Sequence, residues 1–252
     1  MKRIALFIGF LLMGCSERSS DAPSPSAVGD VSGSNKGGSM ARFAVKGDYL
    51  YTVDNQSLNI FNIRDNQNPT KVGDVKIGDD IETIFPFNDW LLIGSMRGMY
   101  IYELSNPERP ERLGMYEHVI ACDPVVAQDK YAYVTLRSEA ANRFCNRGEN
   151  ALHVLDISNP ANIRRIARYA MVQPGGLGVD GKYLFVCDQG LKVYDNTDPT
   201  NLILKKKYSI DGYDVIPLGN LLIAVATQGL YQYYYTPDTM YHISTIPFGK
   251  LF

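Results

Sequence analysis

Leu152-His153-Val154-Leu155-Asp156-Ile157-Ser158-Asn159-Pro160 carries two instructions in nine residues. Leu152 and Val154 alternate with mixed positions at a period of two, the spacing of a strand with one buried face. Asn159-Pro160 then ends it, because the Asx side chain caps a turn while proline presets the turn backbone and cannot extend a strand. The string returns as Met99-Tyr100-Ile101-Tyr102-Glu103-Leu104-Ser105-Asn106-Pro107 and as Leu191-Lys192-Val193-Tyr194-Asp195-Asn196-Thr197-Asp198-Pro199. Leu58/Ile60 repeats its alternation near the start of the chain.

Working outward, Leu58, Met99, Leu152, Leu191 and Leu230 recur at spacings of 41, 53, 39 and 39. The strand before each gives a second landmark, Tyr49, Trp90, Tyr131, Tyr183 and Leu221, at 41, 41, 52 and 38. Each unit reads as four short strands separated by turns. In the fourth these are Leu177-Gly178-Val179, Tyr183-Leu184-Phe185-Val186, Leu191-Lys192-Val193-Tyr194 and a stretch near Leu204 to Tyr208. A period near 40 with four strands per unit predicts propeller blades, small sheets that bury their faces against one another. The expected fold is all-β: a five-bladed β-propeller of four-stranded antiparallel blades over residues 40–252, with units near 40–80, 81–121, 122–173, 174–212 and 213–252. A β-sandwich would need both landmarks to agree by coincidence. No segment after Met40 keeps helical spacing for three turns, which excludes a helical solenoid.

The three nine-residue strings resemble the defining string of the LVIVD repeat proteins. The first unit departs with Asn66 where the others have proline, and the fifth has Tyr235-Thr236-Pro237. The resemblance implies a bacterial lipoprotein propeller of unestablished biochemical role, and it transfers no catalytic residue.

The start of the chain predicts an address. Met1-Lys2-Arg3 is cationic, residues 4–13 form an apolar run, and Gly14-Cys15 follows. Ten apolar residues suit a signal-peptide core and are too few to span a bilayer. Leu12-Met13-Gly14-Cys15 resembles a lipobox, which makes Cys15 the expected lipidation site and residues 1–14 a removed signal peptide. Residues 15–39 read as the lipidated Cys and a Ser/Gly/Pro-rich linker, a tether spanning roughly 25–30 Å. Ser16 after the cysteine fits outer-membrane sorting in a Gram-negative envelope, so the expected location is the envelope, lipid-anchored, at the outer membrane.

The 252 residues are 45% hydrophobic and 21% charged, with a formal net charge of −2. That is enough to build a core, and there is no global basic surface for nucleic acid. A monomer is expected.

Chemistry is sparse. His118, His153 and His242 fall in different units without zinc-ligand spacing, so no metal site is expected. No phosphate loop, nucleophile elbow or EF-hand string occurs, and no cofactor is expected beyond a cation such as calcium at the channel rim. Counting back from the second-strand landmarks places Arg42, Glu82, Asp123 and Asp214 at one mouth of the channel. Convergent carboxylates there can bind a cation or sugar hydroxyls, or work as a glycosidase pair; a solvated rim with Arg42 paired to one acid is the simpler reading. The third unit holds about twelve extra residues within 137–150, and long propeller loops often carry function. In an oxidising compartment, Cys122 and Cys145 are expected to form a disulfide pinning this loop. The loop would then offer Arg137, Arg143, Phe144 and Arg147 to a partner. Cys187 reads as a buried small hydrophobe. The expected function is a binding or scaffold module for an envelope protein or glycan. A glycoside hydrolase or cation-dependent hydrolase at the acidic mouth is the alternative.

Overall fold

The computed structural model describes residues 37–118, 124–138, 148–236 and 239–249. It shows an all-β, five-bladed propeller. The blades are β1 (Phe43–Lys46), β2 (Tyr49–Val53), β3 (Ser57–Asn62) and β4 (Thr70–Lys76); β5 (Ile81–Phe87), β6 (Trp90–Ser95), β7 (Gly98–Glu103) and β8 (Glu111–Glu117); β9 (Val125–Gln128), β10 (Tyr131–Leu136), β11 (Ala151–Asp156) and β12 (Arg164–Ala170); β13 (Pro174–Asp180), β14 (Tyr183–Asp188), β15 (Leu191–Asp195) and β16 (Ile203–Tyr208); β17 (Gly212–Leu218), β18 (Leu221–Ala226), β19 (Gly229–Tyr235) and β20 (Met240–Pro247). Each blade is an antiparallel meander in chain order, so among the described residues no strand is exchanged between the first and last blades.

Local sequence sets each blade. Tyr49, Trp90, Tyr131, Tyr183 and Leu221 all open the second strand. Every third strand pairs with its fourth through a one-residue irregularity at the same place, between Ile60 and Phe61, Ile101 and Tyr102, Val154 and Leu155, Val193 and Tyr194, and Gln232 and Tyr233. Such bulges raise the local twist that lets small sheets nest around an axis. The Asx turns form as the sequence suggests. The amides of Gln67, Glu108, Ala161 and Thr200 donate to the side chains of Asp65, Asn106, Asn159 and Asp198 at 3.0, 3.1, 3.1 and 2.9 Å.

Burial follows the seams between blades. One apolar cluster joins blades one and two, with Tyr51, Leu58, Ile60, Ile84 and Ile93 at its centre. Three others join blades two to three, three to four and four to five. The outer turns of blades two, three and four also dock on the blade before them. The Tyr51 hydroxyl donates to the Pro107 carbonyl at 3.0 Å and that of Tyr169 to the Pro199 carbonyl at 3.1 Å. A small residue makes room for this docking at one outer-strand position, Gly73 in blade one, Gly114 in blade two and Ala167 in blade three, opposite Ile60, Ile101 and Val154.

Among the described residues, no corresponding apolar cluster joins blade five to blade one. A polar lock bridges this seam at the axis. Ser39 is fully buried; its Oγ accepts from the Leu177 amide at 2.8 Å and donates to Asp214 Oδ1 at 2.7 Å, while the Met40 amide donates to Asp214 Oδ2 at 3.2 Å. Ser39, read from sequence as the end of a linker, is therefore core. Replacing Asp214 by alanine removes the acceptor of the Ser39 hydroxyl and of the Met40 and Val215 amides and is expected to cost about 2 kcal/mol. Urea unfolding of the Asp214→Ala variant measures this, and an unchanged midpoint would show that the lock contributes nothing.

Candidate functional site

At the end of the ring where the inner strands begin, the predicted rim residues take separate roles. Arg42 is exposed, and its guanidinium donates to Asn55 Oδ1 at 3.1 Å and to the Ile81 carbonyl at 3.2 Å. Glu82 is half-buried beside it in sequence. Asp214 is 7% exposed and turned into the Ser39 lock, and burial raises its carboxyl above the usual range. Its oxygens are committed to Ser39, Met40 and Val215, so it does not present an open carboxylate to the channel mouth. Asp123, the fourth member of the proposed rim, lies outside the described residues.

The insertion leaves from the same end, between β10 and β11. Arg137 is half-buried there, and the Ser138 amide donates to Asn150 Oδ1 at 2.8 Å, tying the base of the loop. Arg143, Phe144 and Arg147 lie outside the described residues, as do Cys122, Cys145 and Cys15. Cys187 is a free thiol, 3% exposed, with its pKa pushed up by burial. A thiol held in the protonated form is a poor nucleophile.

The opposite end holds a feature that sequence reasoning missed. A cleft of about 380 Å³ opens between blades four and five, with Tyr183, Phe185, Tyr208 and Tyr235 in its walls. Its origin is local. In the first four blades seven residues separate the third and fourth strands, whereas only four separate β19 from β20. At the position of Gly73, Gly114 and Ala167, blade four carries Lys206, opposite Val193. The connection is three residues shorter and the equivalent outer-strand position carries a long cation, so among the described residues the outer part of this seam stays open. The visible signals were the Tyr235-Thr236-Pro237 departure and the change from a small residue to lysine.

The cleft is aromatic and basic. Lys206 lies over the Tyr208 ring at 5.1 Å and Lys182 over the Tyr183 ring at 5.5 Å. Asp195 supplies the acid in the lining. Thr197, through its hydroxyl at 2.6 Å and its amide at 3.0 Å, holds the Asp195 carboxyl down at about 2, with help from Lys205 at 3.3 Å. The Tyr235 hydroxyl donates to Asp180. The Tyr183 hydroxyl is buried and meets no hydrogen-bond partner among the described residues. An unsatisfied buried hydroxyl costs about 1–3 kcal/mol and calls for an explanation.

Three segments, residues 37–76, 146–170 and 175–210, match the LVIVD repeat. The chain carries LVIVD repeats. They fall on the first blade, the outer half of the third and nearly all of the fourth, so the repeat corresponds to a blade. A search of the curated proteins finds no match to the sequence. Similar solved structures share the fold at low identity. A protein from Lactobacillus plantarum is 13% identical with a TM-score of 0.62, covering 79% of this chain and 67% of its own. A functionally unknown protein from Desulfotomaculum acetoxidans is 12% identical with a TM-score of 0.63, covering 82% and 70%. The periplasmic gluconolactonase PpgL of Pseudomonas aeruginosa is 14% identical with a TM-score of 0.59, covering 81% and 68%.

Proposed function

We propose that this LVIVD-repeat propeller is a binding module of the bacterial envelope, tethered through a lipid on Cys15 to the outer membrane, with the cleft between blades four and five as its ligand site. The buried Tyr183 hydroxyl, without a partner among the described residues, in an aromatic and basic cleft carries the reading. Among the described residues of the lining, three ammonium groups, Lys182, Lys205 and Lys206, stand against the one carboxylate of Asp195, a balance that favours an anion. Aromatic faces beside lysines suit an acidic sugar, whose ring stacks on tyrosine while its carboxylate meets the ammonium groups.

The LLMGC string supports the anchor. The Cys122–Cys145 bridge and the arginine-bearing insertion remain part of this proposal as a second contact, at the opposite end of the ring. The hydrolase alternative draws on the fold shared with PpgL. It has no support from Asp214, whose oxygens serve the axial lock.

Screening the full chain against an array of neutral and anionic glycans, with acidic peptides as a separate arm, tests the assignment. Anionic glycans should be retained by the unaltered chain and lost on Lys206→Glu. Retention of peptides alone, or glycan retention that survives Lys206→Glu, would overturn it.

A further inference from the structure

In the first four blades the residue that opens the second strand packs toward the blade that follows: Tyr49, Trp90, Tyr131 and Tyr183. Two residues on, where a strand returns to the same face, Tyr51, Leu92, Tyr133 and Phe185 do likewise. Where these side chains carry hydroxyls, the two positions serve different groups of the incoming outer turn. At the third position the Tyr51 hydroxyl donates to the Pro107 carbonyl at 3.0 Å, and that of Tyr133 to Asn196 Oδ1 at 2.9 Å. At the first position the Tyr49 hydroxyl donates to a carboxylate, Glu108 Oε1, at 3.0 Å. Blade four keeps one hydroxyl and drops the other. Phe185 has none where Tyr51 and Tyr133 fasten a docked turn, in keeping with a seam whose outer part stays open. Tyr183 retains its own, buried and without a partner among the described residues. Phenylalanine at both positions would leave no polar group unsatisfied, so the retained hydroxyl calls for an acceptor from outside.

We infer that Tyr183 donates to the carboxylate of a uronic acid, as Tyr49 donates to that of Glu108, and that the cleft selects uronic acids over sulfated and neutral sugars. This rests on the reading of the cleft as a site for anionic glycans and names the group it recognises. The cations agree with it. Lys205 is paired with Asp195 at 3.3 Å, so among the described residues of the lining Lys182 and Lys206, each over a tyrosine ring, remain to face the charge of a ligand. Phe185 and Tyr235, with ring centroids 5.1 Å apart, give the sugar ring an apolar wall on the same side. A carboxylate is a more basic acceptor than a sulfate ester and takes the stronger hydrogen bond from a phenol, which sets the preference.

Calorimetric titration of the full chain with three matched probes tests this: trigalacturonic acid, its carboxyl-reduced neutral trimer, and the same trimer carrying 6-sulfates. The uronate should bind about tenfold more tightly than the sulfated trimer, and the neutral trimer least. Tyr183→Phe should weaken the uronate about tenfold and the sulfated trimer by less than about twofold. Tyr49→Phe removes the same hydroxyl where the chain supplies its own carboxylate, and should leave all three affinities unchanged. Equal affinity for the two charged trimers, or equal losses of both in Tyr183→Phe, would overturn the inference and leave an anion-binding cleft in place. So would an array that retains sulfated glycans through Lys206 and no uronates. An array that retains no anionic glycan would instead remove the reading beneath it. A thermal midpoint that falls in Tyr183→Phe would show that the hydroxyl already has a partner in the free chain, and would overturn the inference as well.

Discussion

Replacing Gly114 by alanine is expected to destabilise the propeller by about 3 kcal/mol, the upper end for overpacking. A Cβ at this position would stand 1.8 Å from the Pro160 carbonyl oxygen and 2.9 Å from its carbon. Both belong to the backbone of the next blade's docking turn, so no side chain can swing aside. Relief requires that the whole turn lift from β8. That would weaken a seam formed by Leu92, Met99, Ile101 and Leu155. Gly73→Ala is the matched control, since its Cβ would meet the Glu108 carbonyl at 2.9 Å; it should cost less. Equilibrium unfolding of both variants tests the docking, and equal, small losses would show that the turns rest loosely on their neighbours.

Acid should weaken the fold in a window set by His153. This residue is 1% exposed on β11. The Tyr116 hydroxyl of the preceding blade donates to its Nδ1 at 3.1 Å, and its Nε2–H donates to Glu149 Oε1 at 3.0 Å. Burial first, and then the Arg165 guanidinium, push the imidazole down to about 4 from an ordinary 6.5. The neutral ring is thus the folded form. Stability is complete above 6.5, where neither state is protonated. It falls as pH drops from 6.5 toward 4, because only the unfolded chain takes up the proton there. The loss across that interval is about 3 kcal/mol. Carboxylates held down in the fold, such as Asp188 under the Gln173 amide and Lys192, lose their contribution at lower pH, as pH falls below the ordinary carboxylate value. Denaturant midpoints measured between pH 7 and 4 should therefore slope in the parent and flatten in His153→Gln. Equal slopes would contradict this assignment.

The blades were legible because their signals are local. A period-two strand such as Leu152/Val154 and an Asx turn such as Asn159-Pro160 state their own geometry. Repetition at two landmarks then fixed the number of blades and the place of Tyr49 and its counterparts. The rim was harder. Counting back placed Asp214 near the channel mouth, but residues 37–39, polar and glycine-rich, read as tether. The burial of Gly38 and Ser39 depends on one hydroxyl fitting between Leu177 and Asp214, a tertiary fact with no local signature. The cleft had visible parts and a hidden cause. Lys206 and the short connection after Tyr235 are plain in the sequence. Only the packing of other seams shows that small residues there receive the next blade's turn, and hence that these two departures leave a socket empty.

Titrating an acidic glycan selected on the array into the unaltered chain and into Tyr183→Phe, alongside their thermal midpoints, tests the cleft most directly. A hydroxyl buried for a ligand stabilises nothing in the free protein. Tyr183→Phe should therefore hold or raise the midpoint by a few degrees while weakening binding about tenfold or more, the loss expected for one buried hydrogen bond. Unchanged affinity, or a midpoint that falls with it, would contradict a ligand site between blades four and five.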